Sequence, residues 1–264
     1  VHKGAYGSVL VLCGSTLYSG SATLAAVSAV RAGADVVTVA SAERAANVAA
    51  GTLPDLITLP LKGSHLTSSH VADIMDVVHV RRVNSVVIGC GLGVHQGTLL
   101  AINKLIQKFT VPLVIDADGL RAIAKNPGVV STKHSVLTPH LGELAILLGE
   151  EKINDDFDSR LLAAKQAAAK FKSVVLLKGN VDIITDGSIS ITNNSGTPYM
   201  TKGGFGDTLS GICGALLARG VGLIEAANAA AYINGRAGEL ASEKTGEGVA
   251  ASDIFEEIPR VISG

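Results

Sequence analysis

Short runs of aliphatic and β-branched residues alternate with longer Ala-rich segments along the whole chain. The runs predict strands at 8–13, 35–40, 56–61, 85–89, 113–116, 135–138, 173–178, 182–185 and 189–192. Several are apolar at successive positions, as in Val9-Leu10-Val11-Leu12, which suits strands covered on both faces. Between them the pattern predicts helices over about 20–32, 69–82, 96–108, 142–148, 158–171, 207–219 and 224–245. The alternation predicts an α/β fold, a mainly parallel central sheet with helices on both faces. The order changes late: Asp186-Gly187-Ser188 reads as a hairpin turn, and a C-terminal helical stretch follows. With no low-complexity linker and no internal repeat, residues 1–264 read as one domain. The alternation alone fits a flavodoxin-like or Rossmann fold equally, so the site motifs must decide.

Composition narrows the partners. The chain has 264 residues, 47% hydrophobic and 17% charged, and its net charge of −1 offers no field to draw in nucleic acid or an anionic membrane. No apolar stretch approaches the roughly 18–20 residues needed to span a bilayer. The start, Val1-His2-Lys3-Gly4, lacks the apolar core of a signal peptide, and the missing initiator Met implies a trimmed chain. Cys13, Cys90 and Cys213 stand singly, without metal-ligand or disulfide spacing, and read as small buried residues of a reducing, cytoplasmic setting. Aromatics make up only 3% with no Trp, which argues against base-stacking platforms.

The segment richest in chemistry is Thr201-Lys202-Gly203-Gly204-Phe205-Gly206-Asp207-Thr208-Leu209-Ser210-Gly211. Its glycines free the backbone to approach a ligand, and the apolar helix that follows would aim its first amides and its dipole at a phosphate. Asp207 stands where a carboxylate takes a proton from a hydroxyl beside the transferring phosphate; it stands equally where Asp caps a helix. A Walker A reading fails, because no Gly-Lys-Ser/Thr follows the turn.

Gly203-Gly204-Phe205-Gly206-Asp207 resembles the glycine-rich anion hole of ribokinase-like enzymes, and more narrowly that of the ADP- or ATP-dependent NAD(P)H-hydrate dehydratases. Further pieces resemble that family in order: His2-Lys3-Gly4-Ala5-Tyr6-Gly7, Cys13-Gly14-Ser15, Tyr18-Ser19-Gly20-Ser21-Ala22, Gly89-Cys90-Gly91-Leu92-Gly93 and Asp116-Ala117-Asp118-Gly119-Leu120. Thr138-Pro139-His140-Leu141-Gly142-Glu143, Leu177-Lys178-Gly179-Asn180, Ala251-Ser252-Asp253 and Ile258-Pro259 complete the series. The resemblance implies a ribokinase-like fold in which Ala22, Gly91, His140 and Asp207 line a hydrated NADH or NADPH. It implies that Lys178, Gly179, Asn180, Val181, Asp182 and Gly206 contact an adenine nucleotide, with Gly204 and Phe205 adding anion-hole amides. The implied reaction phosphorylates the ring hydroxyl from ADP or ATP and then eliminates phosphate. Mg²⁺ accompanies the nucleotide, held by phosphates and water more than by protein. A homo-oligomer, commonly a tetramer, is implied as well.

Three single positions depart from the family pattern, as does the stretch Tyr232-Ile233-Asn234-Gly235, which lacks the common His before Gly. Phe205 replaces a Thr in the anion hole, Cys90 replaces a Pro, and Asp182 stands where a Thr is common. Phe205 keeps the amide but removes a hydroxyl and adds a ring. Two other functions therefore stay open: a kinase of a small hydroxylated metabolite, and an adenine-nucleotide-binding protein with weak or no catalysis. Asp116 and Asp118 at a strand end, Glu143 and Lys202 are lesser candidates, with Asp118 also a possible helix cap. His65, His70, His79 and His95 are assigned to surface or structure.

Overall fold

The computed structural model describes Gly4 and residues 6–264. The opening motif His2–Gly7 therefore falls partly outside the described residues. All nine predicted strands form: β1 (Ser8–Leu12), β2 (Val36–Ala42), β3 (Ile57–Leu61), β4 (Ser85–Ile88), β5 (Leu113–Ile115), β6 (Ser135–Leu137), β7 (Val174–Leu177), β8 (Asp182–Thr185) and β9 (Ser190–Asn193). They make one sheet in the order β3-β2-β1-β4-β5-β6-β7-β8-β9. Strands β1 to β7 pair in parallel, and β8 and β9 close one edge antiparallel.

The helices are α1 (Ser21–Arg31), α2 (Glu43–Thr52), α3 (Val71–Val80), α4 (Gln96–Lys108), α5 (Asp118–Ala124), α6 (Leu141–Leu148), α7 (Phe157–Phe171), α8 (Phe205–Ala218), α9 (Leu223–Thr245) and α10 (Glu257–Ser263). Helices α2, α5 and α10 were not expected. Helix α2 buries only Ala45, Ala46 and Ala49, a stripe too weakly apolar to stand out from its Ala-rich surroundings. Helix α8 begins two residues earlier than the pattern suggests, so Phe205, Gly206 and Asp207 form its first turn. The β8–β9 turn spans 186–189, one residue more than the expected three.

The continuous apolar runs are explained by two cores. Val9 and Val11 face one, packed by α1, α8 and α9; Leu10 and Leu12 face the other, packed by α4, α5 and α7. Helices α1 and α8 touch through their backbones. A Cβ on Gly211 would stand 2.0 Å from the Ala25 carbonyl oxygen, so only glycine allows this approach. That contact seats the N-terminus of α8 over the C-terminal ends of β1 and β4, where ligands gather in open α/β sheets. No described helix is long and apolar enough to cross a membrane.

Candidate active site

The loops after β4, β5, β6 and β7 converge with the first turn of α8. Asp116 follows β5 directly and is 2% exposed, so its charge must be met inside the protein. Lys178 after β7 donates to its Oδ1 at 2.9 Å, Ser210 donates to Oδ2 at 3.1 Å, and the Cys90 thiol approaches Oδ2 at 3.5 Å. The same Lys178 ammonium lies 3.8 Å from buried Glu143. Burial works against the Lys178 charge, but Asp116 and Glu143 outweigh it and hold the ammonium above its ordinary range.

The turn after β5 is strained. Ala117 has φ +47°, a region L-residues rarely occupy, and it turns its two neighbours apart. Asp116 points inward, while Asp118 accepts a hydrogen bond from the Gly93 amide at 2.7 Å. Asp118 is thus no helix cap; it ties the loop after β5 to the glycine loop after β4.

Asp207 is the third residue of α8, and Gly204 is the N-cap. The capping alternative for Asp207 is therefore removed. Its carboxylate lies beside Cys90 and Asp116, the three ligating atoms falling within 4.8 Å of one another. Burial, then the charge of Asp116, raise the Asp207 carboxyl from 3.8 to about 7, against hydrogen bonds from Ser21 and Cys90. A carboxylate with that value is poised to accept a proton at neutral pH. The Cys90 thiol, hydrogen-bonded with Cys13 and buried, is held well above the ordinary thiol range and stays neutral. All three cysteines are free and buried.

Gly204 takes φ +105°, and a Cβ there would press on Leu24 and Ala251. This turn aims the first amides of α8 outward with no side chain capping them. Phe205 follows. Its ring is 5% exposed and belongs to the core, so the added bulk lies mostly beneath the first turn of α8 and not across its amides. Its carbonyl accepts from Thr208 at 2.9 Å and Asn234 at 3.2 Å, which pins the turn.

On one side of this turn lies a cavity of about 720 Å³. His140, Lys178, Gly179, Asn180, Asp182, Phe205 and Gly206 line it, joined by Lys202, Thr197 and Asn234. Its floor is a loop organised by Arg160, which the sequence did not single out. The buried guanidinium donates to Asn180 Oδ1 at 3.1 Å and to the Val181 carbonyl at 2.7 Å. Asp182 accepts from the Gly179 amide at 3.0 Å and from Asn193 at 3.0 Å. Burial raises its carboxyl. Both of its oxygens are thus committed to shaping the loop. Lys202 donates to the Glu247 and Val249 carbonyls at the rim.

Gly91 and Ala22 lie on the opposite side of the α8 turn. A Cβ on Gly91, which has φ +63°, would stand 2.7 Å from Ser21 Oγ and from Tyr18 Cβ, so the loop after β4 rests on the start of α1. The Ala22 side chain is fully buried, leaving its backbone amide in the uncapped first turn of α1 as the group that can face a ligand. His140, placed with these residues by resemblance, lines the cavity with Lys178 instead. Its Nδ1 caps α6, accepting from Gly142 at 3.0 Å and Glu143 at 3.3 Å. Of the other histidines, His95 caps α4 and His70 is buried against the Lys62 carbonyl.

The family pattern described as NAD(P)H-hydrate dehydratase matches residues 9–260. The bifunctional NAD(P)H-hydrate repair enzyme Nnr of Pyrobaculum aerophilum is 40% identical over 262 residues, covering 98% of this chain and 51% of that protein. The chain spans about half the length of such bifunctional relatives. The ADP-dependent (S)-NAD(P)H-hydrate dehydratase of Cenarchaeum symbiosum is 35% identical, covering 98% of this chain and 90% of that protein. Among solved structures, the ADP/ATP-dependent NAD(P)H-hydrate dehydratase of Bacillus subtilis, co-crystallized with ATP/Mg²⁺, superposes with TM-score 0.82 at 25% identity, covering 100% and 91% of the two chains. A ribokinase-like superfamily protein of Enterococcus faecalis superposes with TM-score 0.85 at 22% identity, covering 100% and 89%, which speaks for the fold.

Proposed function

Because the chain belongs to the NAD(P)H-hydrate dehydratase family, of ribokinase-like fold, we propose that it restores NADH and NADPH from their hydrates at the expense of ADP or ATP. The observation that carries this reading is Asp207. A half-buried carboxylate raised to about 7 stands in the first turn of an uncapped helix, between a nucleotide-sized cavity and the Gly91–Ser21 wall.

In this reading the adenine nucleotide occupies the 720 Å³ cavity, with its terminal phosphate at the first amides of α8 and near Lys178. The hydrated ring lies against Gly91. Asp207 accepts the proton of the ring hydroxyl as its oxygen attacks the terminal phosphorus. The amides and the helix dipole stabilise charge on the transferring group. Phosphate then leaves with the C–O bonding pair while the ring nitrogen supplies electrons, and loss of a proton from the adjacent carbon restores the double bond. The nucleotide departs one phosphate shorter.

The residues present do not fit a resident Mg²⁺. Asp116, the carboxylate beside Asp207, is engaged by Lys178, and the third group of the cluster is a thiol, a poor partner for a hard cation. An ion arriving with the nucleotide would be held by phosphate oxygens and water. The reading also takes the chain as one domain acting on small molecules, in a reducing cytoplasm that suits three free thiols, and as a homo-oligomer whose number sedimentation would give.

The test is the absorbance of reduced nicotinamide, followed with hydrated NADH and Mg²⁺ and with ADP or ATP added separately. A nucleotide-dependent rise with release of free phosphate supports the reading and names the donor. No rise with either nucleotide removes it; a stable phosphomonoester from another hydroxylated substrate would replace it with a kinase.

A further inference from the structure

We propose that a second cavity, across the ends of β1, β2 and β3, receives the adenosine-phosphate half of the hydrated dinucleotide, with Glu43 and Arg44 reading its ribose 2′ position. This rests on the dehydratase reading and adds a subsite to it.

The strand order sets the geometry. The chain runs outward from β1 to β2 and β3, then returns across β1 to place β4 on its other side. The loops after β1 and β4 therefore diverge, leaving the crevice that dinucleotides bridge in sheets of this kind. Those loops are tied where they part, the Gly14 amide donating to the Cys90 carbonyl at 2.7 Å. The reacting ring belongs on the Gly91 and Asp207 side. The remainder of a dinucleotide must leave the crevice, and the direction toward β7 is taken by the phosphoryl donor.

The other direction offers an open cavity of about 790 Å³, lined by Thr16, Glu43, Arg44, Asn47, Gly63 and Ser64 among others. It adjoins the substrate wall. A Cβ on Gly14 would stand 3.1 Å from both Ala22 on α1 and Ala45 on α2, so the two helix starts meet at this one residue. The Thr16 amide donates to the Ser64 carbonyl at 3.0 Å, joining the loop after β1 to the loop after β3. Beneath this seam the Ser41 hydroxyl is fully buried and has no partner among the described residues.

The side chains suit the ligand. Glu43 and Arg44 follow β2 directly and are exposed, and neither forms an ion pair among the described residues. At the end of the second strand of a mononucleotide-binding unit, a carboxylate accepts from the ribose 2′-hydroxyl and an arginine takes a 2′-phosphate. Here the two stand side by side. Glu43 serves the NADH hydrate, Arg44 serves the NADPH hydrate, and half-exposed Val48 gives the adenine an apolar edge.

The full chain and its Arg44→Ala and Glu43→Gln variants are titrated calorimetrically with NAD⁺ and NADP⁺, which carry the same adenosine halves. Arg44→Ala should weaken NADP⁺ at least about tenfold relative to NAD⁺, and Glu43→Gln should shift the ratio the other way. Equal changes, no change, or no binding of either dinucleotide by the parent chain overturns the subsite. The readout needs no turnover. Discrimination without nucleotide-dependent NADH formation would sink the dehydratase reading and spare the subsite; turnover with an unmoved ratio would do the reverse.

Discussion

The Lys178 ammonium sits 2.9 Å from Asp116 Oδ1, and this pair separates the two carboxylates of the site into different roles. Asp116 is 2% exposed and bound to a cation and a buried hydroxyl, so both of its oxygens are engaged inside the protein. Asp207 lies beside that charge and is pushed up by it, after the larger effect of burial. Paired carboxylates whose surroundings differ in this way divide the labour of an acid–base site.

Replacing Asp116 should therefore move the pH profile. With Asp207 near 7, kcat/KM falls as pH drops through that value, because the base becomes protonated. Asp116→Asn removes one of the two causes, and the acidic limb should shift to lower pH. The other groups facing Asp207, namely Ser21, Cys90 and Lys178, remain in place. A limb that stays where it was, in a folded variant, would deny Asp116 this influence.

Asp207→Asn should abolish turnover and raise stability together. The folded-state value of about 7 lies above the unfolded 3.8, so the folded protein holds a proton that the unfolded chain releases. Stability from this group is accordingly lost as pH rises from 3.8 to about 7, and the cost is complete above that. Asn removes a cost on the order of 2–4 kcal/mol at pH 8, worth several degrees in Tm, with kcat down at least about 10³-fold. Thermal unfolding at pH 4 should show little difference between variant and parent. An unchanged Tm at pH 8 would contradict the burial argument, and surviving turnover would remove Asp207 as the base.

Strands were the most legible part of the fold. A run such as Val9-Leu10-Val11-Leu12 serves two cores at once, and no helix surface needs that pattern. Helix α2 escaped notice because three alanines carry its buried face, and α5 because it is only seven residues long and opens at the strained Ala117. The glycine run marked the turn that opens α8, and Asp207 lies in its first turn. Asp116 was visible only as a strand-end acid, since its importance comes from Lys178, 62 residues away. Arg160 looked like an ordinary helix residue. Nothing local distinguishes an arginine that will reach a loop 20 residues on.

Phe205→Thr tests whether the ring hinders chemistry. The ring is buried in the core beneath the first turn of α8, and the amides of that turn do not depend on the side chain. The substitution should cost about 2–4 kcal/mol in stability from lost burial and the space left behind. Its kcat should change less than about threefold, because the donor amide remains. A gain in kcat of an order of magnitude would instead identify the ring as the impediment and the parent chain as chiefly a nucleotide binder.

Arg160 gives the last prediction, because in the proposed reading it would reach the nucleotide only through the loop it holds. Its guanidinium spans Asn180 Oδ1 and the Val181 carbonyl, with a more distant contact at 3.7 Å to exposed Asp155. A Cβ on Gly179 would stand 2.1 Å from the same guanidinium, so the loop is moulded directly onto it. Lysine has one compact ammonium and no planar fork, and it should not hold both acceptors in register. Arg160→Lys should raise KM for the nucleotide about tenfold and leave kcat at saturation within about twofold, the signature of a lost positioning group. Arg160→Ala leaves buried acceptors unmet and should lower stability by about 2–4 kcal/mol. If Arg160→Lys changed only stability, with KM for the nucleotide unmoved, the residue would be structural and the loop would be held by Asp182 and Asn193 alone.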